Sequence, residues 1–185
     1  MTTQEIHYHK AQELFFTGHP EESIEYFTKA EEDGCNPVDV FLSRGAAFLN
    51  IGRYDEAIDD FGEILEIDVK NERAFYYKGV AEMIKGSYEP AIEDLTRSIE
   101  LNHERGVAFL ARGLCLSELD RMDEAARDIK TAIAFSNIEV EKFANMFGEN
   151  RTLLDKSIAL LEGERGPWKI VLDEGEVNKL KKWLE

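Results

Sequence analysis

"GRYDEAIDDF", Gly52 to Phe61, sets four carboxylates in ten positions, and a near copy, "GSYEPAIEDL", begins 34 residues later at Gly86. Such a stretch is either a charged site or a structural unit used more than once. Shifting the whole sequence by 34 brings Gly18, Gly52 and Gly86 into register, with Asp120 in the fourth slot. A fixed period of this length is the mark of a repeat architecture. The frames are 4–37, 38–71, 72–105 and 106–139, without gaps. Ala11, Gly45, Gly79 and Gly113 then share one small position; Ser23, Ala57, Ala91 and Ala125 share another twelve residues on.

Each frame predicts two helices, because apolar residues recur at spacings of three and four on both sides of the central glycine. In the second frame Phe41, Gly45 and Phe48 mark the first helix, and Ala57, Ile58, Phe61, Ile64 and Leu65 the second. Glycine inside a helix costs about 1 kcal/mol relative to alanine. Its recurrence therefore points to close helix contact, with Gly45 expected against Ala57. Lys10, Arg44, Lys78 and Arg112 precede the small positions, and Asp60, Asp94 and Asp128 follow the last three of these bases by sixteen residues. One ion pair within each of those units is expected, with a solvated base as the alternative.

The pattern resembles the tetratricopeptide repeat over about three quarters of the chain. That family's first aromatic falls on His7, Phe41, Phe75 and Phe109, and its later aromatic on Phe27, Phe61, Leu95 and Ile129. Its second aromatic falls on Leu14, Phe48, Glu82 and Leu116, so a carboxylate is expected near the core of the third unit. The family's terminal proline is replaced by Cys35, Val69, His103 and Asn137, which leaves the turns between units to other chemistry. The resemblance implies an all-α, right-handed superhelical solenoid of about four repeats over residues 1–139, whose first helices line a concave groove for a protein or peptide.

Carried onto this sequence, the groove positions include Tyr8 and Phe16 from the first unit and Leu42 and Leu49 from the second. Arg73, Tyr76, Tyr77, Val80 and Met83 come from the third, and Leu110 and Leu114 from the fourth. An apolar, aromatic lining of this kind marks an interaction adaptor or scaffold. A dedicated chaperone shielding a client is the alternative. Family members that serve heat-shock chaperones hold an EEVD carboxylate with a clamp of cations and asparagines. The corresponding residues here are Tyr8, Gln12, Ser43, Arg73 and Tyr77, so capture of EEVD is not expected.

Other chemistry finds little support in the residues. Asp55 and Glu56 sit where a helix begins, and carboxylates there are favoured by the helix dipole; Asp59 and Asp60 are expected on the outer surface. No calcium-loop spacing, HExxH, nucleophile elbow or phosphate loop is present, so neither an enzyme, a metal site nor a cofactor is expected. The formal net charge of -16 disfavours nucleic acid as a partner. No run of 18 apolar residues suggests membrane insertion, and without a secretory leader a cytoplasmic location is expected. Cys35 and Cys115 show no paired spacing.

From Val140 the period fades, although "VEKFANMF" and "RTLLDKSIALLEG" keep a helical pattern. Residues 140–185 are expected to form a helical cap and tail, ending in a stripe of Val177, Leu180, Trp183 and Leu184. Occupation of the groove by this tail, or self-association through it, are the alternatives.

Overall fold

The computed structural model of the chain describes residues 3–135. The expected cap and tail, 140–185, lie outside the described residues. Two compact units divide between Glu104 and Arg105. The first contains three helix pairs: α1 (Thr3–Phe16) with α2 (Pro20–Glu32), α3 (Pro37–Asn50) with α4 (Tyr54–Ile67), and α5 (Glu72–Lys85) with α6 (Tyr88–Leu101). The second contains α7 (Gly106–Glu118) and α8 (Met122–Phe135). All regular secondary structure among the described residues is helical. The second helices begin at Pro20, Tyr54, Tyr88 and Met122, repeating the 34-residue period.

One device closes every pair. Gly18, Gly52, Gly86 and Asp120 each take a positive φ, between 57° and 85°. The next residue's amide then reaches back five positions: His19 to Leu14, Arg53 to Phe48, Ser87 to Glu82 and Arg121 to Leu116, each at 2.9 Å. The positive-φ residue itself donates to the carbonyl three positions before it, as Gly52 does to Leu49 at 3.2 Å. This left-handed cap satisfies carbonyls that a helix end would otherwise strand. Glycine enters the conformation freely, whereas Asp120 does so against its side chain.

The turns between pairs use side chains where the family places proline. Asn36 accepts from the Val38 amide at 3.1 Å, with Pro37 opening α3, and Asn71 accepts from Ala74 at 3.1 Å. Asp68 and Asn102, one period apart, accept from the amides of Lys70 and Glu104. Short polar side chains hold such turns because they can imitate a backbone acceptor.

The core of the first unit runs continuously through Ile24, Phe27, Val40, Phe41, Phe48, Phe61 and Ile64. Phe27, Phe61 and Ile64 are fully buried, and each such side chain removed from water contributes about 1.5–3 kcal/mol. The small positions explain how the helices come so close. A β-carbon on Gly45 would lie 2.6 Å from the Phe61 ring, so the side chain nearest Gly45 is Phe61 where Ala57 was expected. The discrepancy follows from side-chain reach: the aromatic ring one turn beyond Ala57 extends across to α3. In the third pair the space is taken by Leu95 at 2.8 Å and the Ala91 carbonyl at 3.2 Å. Within the second unit, Gly113 is approached by Ile129 at 3.1 Å and the Ala125 carbonyl at 3.2 Å.

Candidate partner-binding face

The first helices of the pairs carry the residues expected to meet a ligand, and partly buried ion pairs join those helices to the second ones. Arg44 on α3 donates from Nε to Asp60 Oδ2 at 2.9 Å and from Nη2 to Oδ1 at 2.7 Å. Lys78 on α5 reaches Asp94 on α6 at 2.5 Å. Within the second unit Arg112 grips Asp128 with bonds of 2.7 and 2.9 Å. The sixteen-residue spacing thus gives ion pairs in all three cases. Asp60 is only 5% exposed, which corrects its expected place on the outer surface. It turns inward because Arg44 supplies the compensating charge, and its hydrogen bonds hold the guanidinium above its ordinary pKa.

Arg44 also ties adjacent pairs together. Its Nη1 donates to Glu31 at 2.5 Å and to Thr28 at 3.2 Å, both on α2. These partners had no counterpart among the sequence expectations. Their only trace in the sequence is position: Thr28 lies sixteen residues before Arg44, as Asp60 lies sixteen after it.

The aromatic residues expected on the face are structural as well as accessible. Tyr8 on α1 is half-buried; its hydroxyl lies 3.0 Å from Ser43 Oγ on α3, and its ring packs 5.7 Å from Phe27. Tyr77 on α5 stacks on Phe61 of α4, with ring centroids 5.6 Å apart and planes inclined by 23°. Leu42 and Leu49 on α3 are half-buried against the same core. Arg73 is exposed, and Phe16 is 83% exposed at the end of α1. These six leave surface that a ligand can touch.

Tyr76, Val80 and Met83 differ. They are buried at 3%, 0% and 3% exposure, so they offer almost no surface to a ligand. In the second unit Leu110 and Leu114 are buried as well. Periodicity assigns a residue to a helix face without saying whether that face is covered. Among the described residues, the exposed large apolar residues that the sequence reading did not assign to the face are Ile6, Ile67, Val69 and Leu101. Ile67 and Leu101 close α4 and α6 one period apart, where the helical stripe has run past the core.

Among the described residues, no three His, Cys, Asp or Glu side chains are grouped to hold a metal ion. The carboxylates opening α4 are engaged: Glu56 with Arg53 at 2.7 Å, and Asp55 with Lys85 of α5. Arg53 holds the Glu56 carboxyl below its usual range. Among the described residues, no helix is long and apolar enough to cross a membrane.

Comparison with known proteins agrees with this arrangement. Residues 8–71 match the tetratricopeptide repeat family model. No curated protein matches the sequence. Among solved structures, MamA residues 41 to the end from Desulfovibrio magneticus RS-1 is similar with a TM-score of 0.69 and 17% identity, covering 90% of this chain and 99% of that one. A MamA RS-1 double mutant gives a TM-score of 0.71 at 17% identity, covering 100% and 96%. The second repeat domain of Spaghetti (RPAP3), bound to the HSP90 peptide SRMEEVD, gives 0.53 at 26% identity and covers 55% of this chain and 94% of its own. With the paired helices, the 34-residue period and the family match in agreement, residues 8–71 belong to the tetratricopeptide repeat family.

Proposed function

We propose that the chain is a non-catalytic interaction module that holds a peptide or helix of a partner protein against α1, α3 and α5. The observation that carries this reading is the row of Tyr8, Leu42, Leu49 and Tyr77. These apolar and aromatic side chains are only half-buried on the first helices of three successive pairs. Exposed Phe16 and Arg73 belong to the same helices. Their core contacts hold the rings in place before a ligand arrives, which lowers the entropy lost on binding. The face is supported as a peptide site by the similar Spaghetti repeat domain, which is bound to an HSP90 peptide.

The ligand differs from that peptide in charge. Of the residues at the clamp positions only Arg73 is cationic, and the molecule carries a formal net charge of -16. A segment with an apolar anchor and flanking Lys or Arg is favoured electrostatically over an acidic EEVD tail.

The test is selection of a random peptide library on the wild-type chain, followed by affinity measurements with Phe16→Ser and Arg73→Glu. Both positions are exposed, so folding should survive. Enrichment of apolar, basic peptides that bind at least tenfold more weakly to Phe16→Ser supports the reading. Equal affinity for wild type and both variants would overturn it. Binding of unfolded chains with no sequence preference would favour the chaperone alternative.

A further inference from the structure

The third helix pair differs from its neighbours in one buried group. Where the other pairs place Leu14, Phe48 and Leu116, α5 places Glu82, which is only 7% exposed. Lys78 Nζ lies 3.3 Å from Glu82 Oε1 and 2.5 Å from Asp94 Oδ2 on α6. Glu82 Oε2 is buried and has no hydrogen-bond partner. One ammonium therefore faces two carboxylates. In the second pair Arg44 also serves two carboxylates, but there one of them, Glu31, keeps 39% of its side chain exposed to water, whereas Glu82 and Asp94 keep 9% and 13%.

The groups around Glu82 determine how the excess charge is resolved. On its own helix Lys78 lies one turn before it, and Lys85 one turn after. Lys85 is drawn toward Asp55 of α4 and also feels Asp59. From α6 comes Asp94, whose negative charge opposes ionisation of Glu82. Arg44 on α3 is already committed to Asp60 and Glu31. The local sum leaves a buried carboxylate short of a cation, a state that protonation relieves.

We propose that Glu82 is a proton-operated latch on the α5–α6 pair, closed when its carboxyl is neutral and loosened when it ionises. The neutral acid shares its proton with Asp94 and leaves Lys78 to one carboxylate. Loss of that proton sets two anions, buried Glu82 and partly buried Asp94, against one cation and pushes α5 from α6. Burial first, and the charge of Asp94 second, raise the Glu82 carboxyl from an ordinary 4.5 to about 7. The folded pKa is thus above the unfolded one. The stabilisation is complete below the unfolded pKa and disappears as pH rises through about 7. Because α5 also presents Arg73 and Tyr77, the latch would regulate the proposed peptide face. That consequence rests on the reading above, but the latch itself is measurable without any partner.

The experiment uses the full chain between pH 5 and 8.5. Amide hydrogen exchange, corrected for the intrinsic pH dependence, should show α5 and α6 opening roughly a hundredfold more readily at the alkaline end, with a much smaller change in α1 and α2. Glu82→Gln should remove most of this dependence. Should that variant fold poorly, carboxyl-carbon NMR of the wild type reads the group directly, with a midpoint near neutrality expected. A Glu82 midpoint below 5.5, or the same pH profile in a folded Glu82→Gln variant, would overturn the proposal. If the latch titrates but peptide affinity does not follow it, the fault lies with the proposed face.

Discussion

Arg44 holds both carboxylate oxygens of Asp60 while its remaining amino group reaches Glu31, so one guanidinium joins α2, α3 and α4. Its side chain is 13% exposed and that of Asp60 is 7% exposed. Bonds this well shielded belong to a different energetic class from pairs on the surface. Fork geometry matters too, because a lysine at this site would supply a point charge in place of two directed bonds.

Arg44→Ala is therefore expected to destabilise the chain by about 3–5 kcal/mol, chiefly by leaving Asp60 buried without its counter-charge. Arg53→Ala, which removes an exposed pair with Glu56, should cost under about 1 kcal/mol. Urea unfolding of the two variants measures the contrast. Asp60→Ala combined with Arg44→Ala should be far less destabilising than the two single losses added together. Additive losses would show that the pair contributes no coupling.

Asp120 is the next position with a clear stability consequence. It occupies the slot of Gly18, Gly52 and Gly86 and takes φ 57°, the one positive φ outside glycine among the described residues. An L-residue in this conformation loses roughly 1–2 kcal/mol, less for aspartate, while glycine carries an unfolded-state entropy penalty of up to ~1 kcal/mol. Asp120→Gly is expected to stabilise the α7–α8 pair by about 0.5–1 kcal/mol. Slower hydrogen exchange in those two helices would demonstrate it; unchanged or faster exchange would count against the strain.

The period was legible because it is imposed by steps that leave a mark on residue type. A left-handed turn selects glycine, a close crossing selects a small residue, and a buried base selects an acid sixteen positions away. Burial of the face was less legible. Tyr76 and Tyr77 are adjacent and both aromatic, yet Tyr76 is 3% exposed while Tyr77 is half-buried. A helical period places each on a side of α5, but the coverage of that side depends on elements far away in sequence. Glu31 was hidden for a similar reason: among many acidic residues on α2, only the rotation of that helix brings one to Arg44.

The turn between the second and third pairs offers a local test. Asn71 accepts from the Ala74 amide at 3.1 Å, satisfying a donor that α5 leaves open. Asn71→Ala should cost about 1 kcal/mol, whereas Asn71→Asp should retain most of the cap and favour the positive helix end. Thermal unfolding that ranks alanine below aspartate supports this account. Equal melting temperatures would show that the side chain does not stabilise the helix end.

The closest approach in the core allows a compensation experiment. Phe61 meets the bare backbone of Gly45 and also stacks on Tyr77, so its ring has neighbours on α3 and α5. A methyl group on Gly45 would overlap a side chain held by the packing around it, so Gly45→Ala should cost about 1–3 kcal/mol despite alanine's better helix propensity. Phe61→Leu alone should also destabilise, because it vacates core volume and removes the stack on Tyr77. In the Gly45→Ala background, however, the smaller side chain makes room for the new methyl. The double variant should then lie above the sum of the two single losses by at least about 1 kcal/mol. The third pair has a leucine opposite its glycine, and there a β-carbon on Gly79 would still lie 2.8 Å from Leu95, so the smaller side chain relieves the overlap in part and not in full. Strict additivity in denaturant unfolding would mean that Gly45 is required for something other than the Phe61 ring.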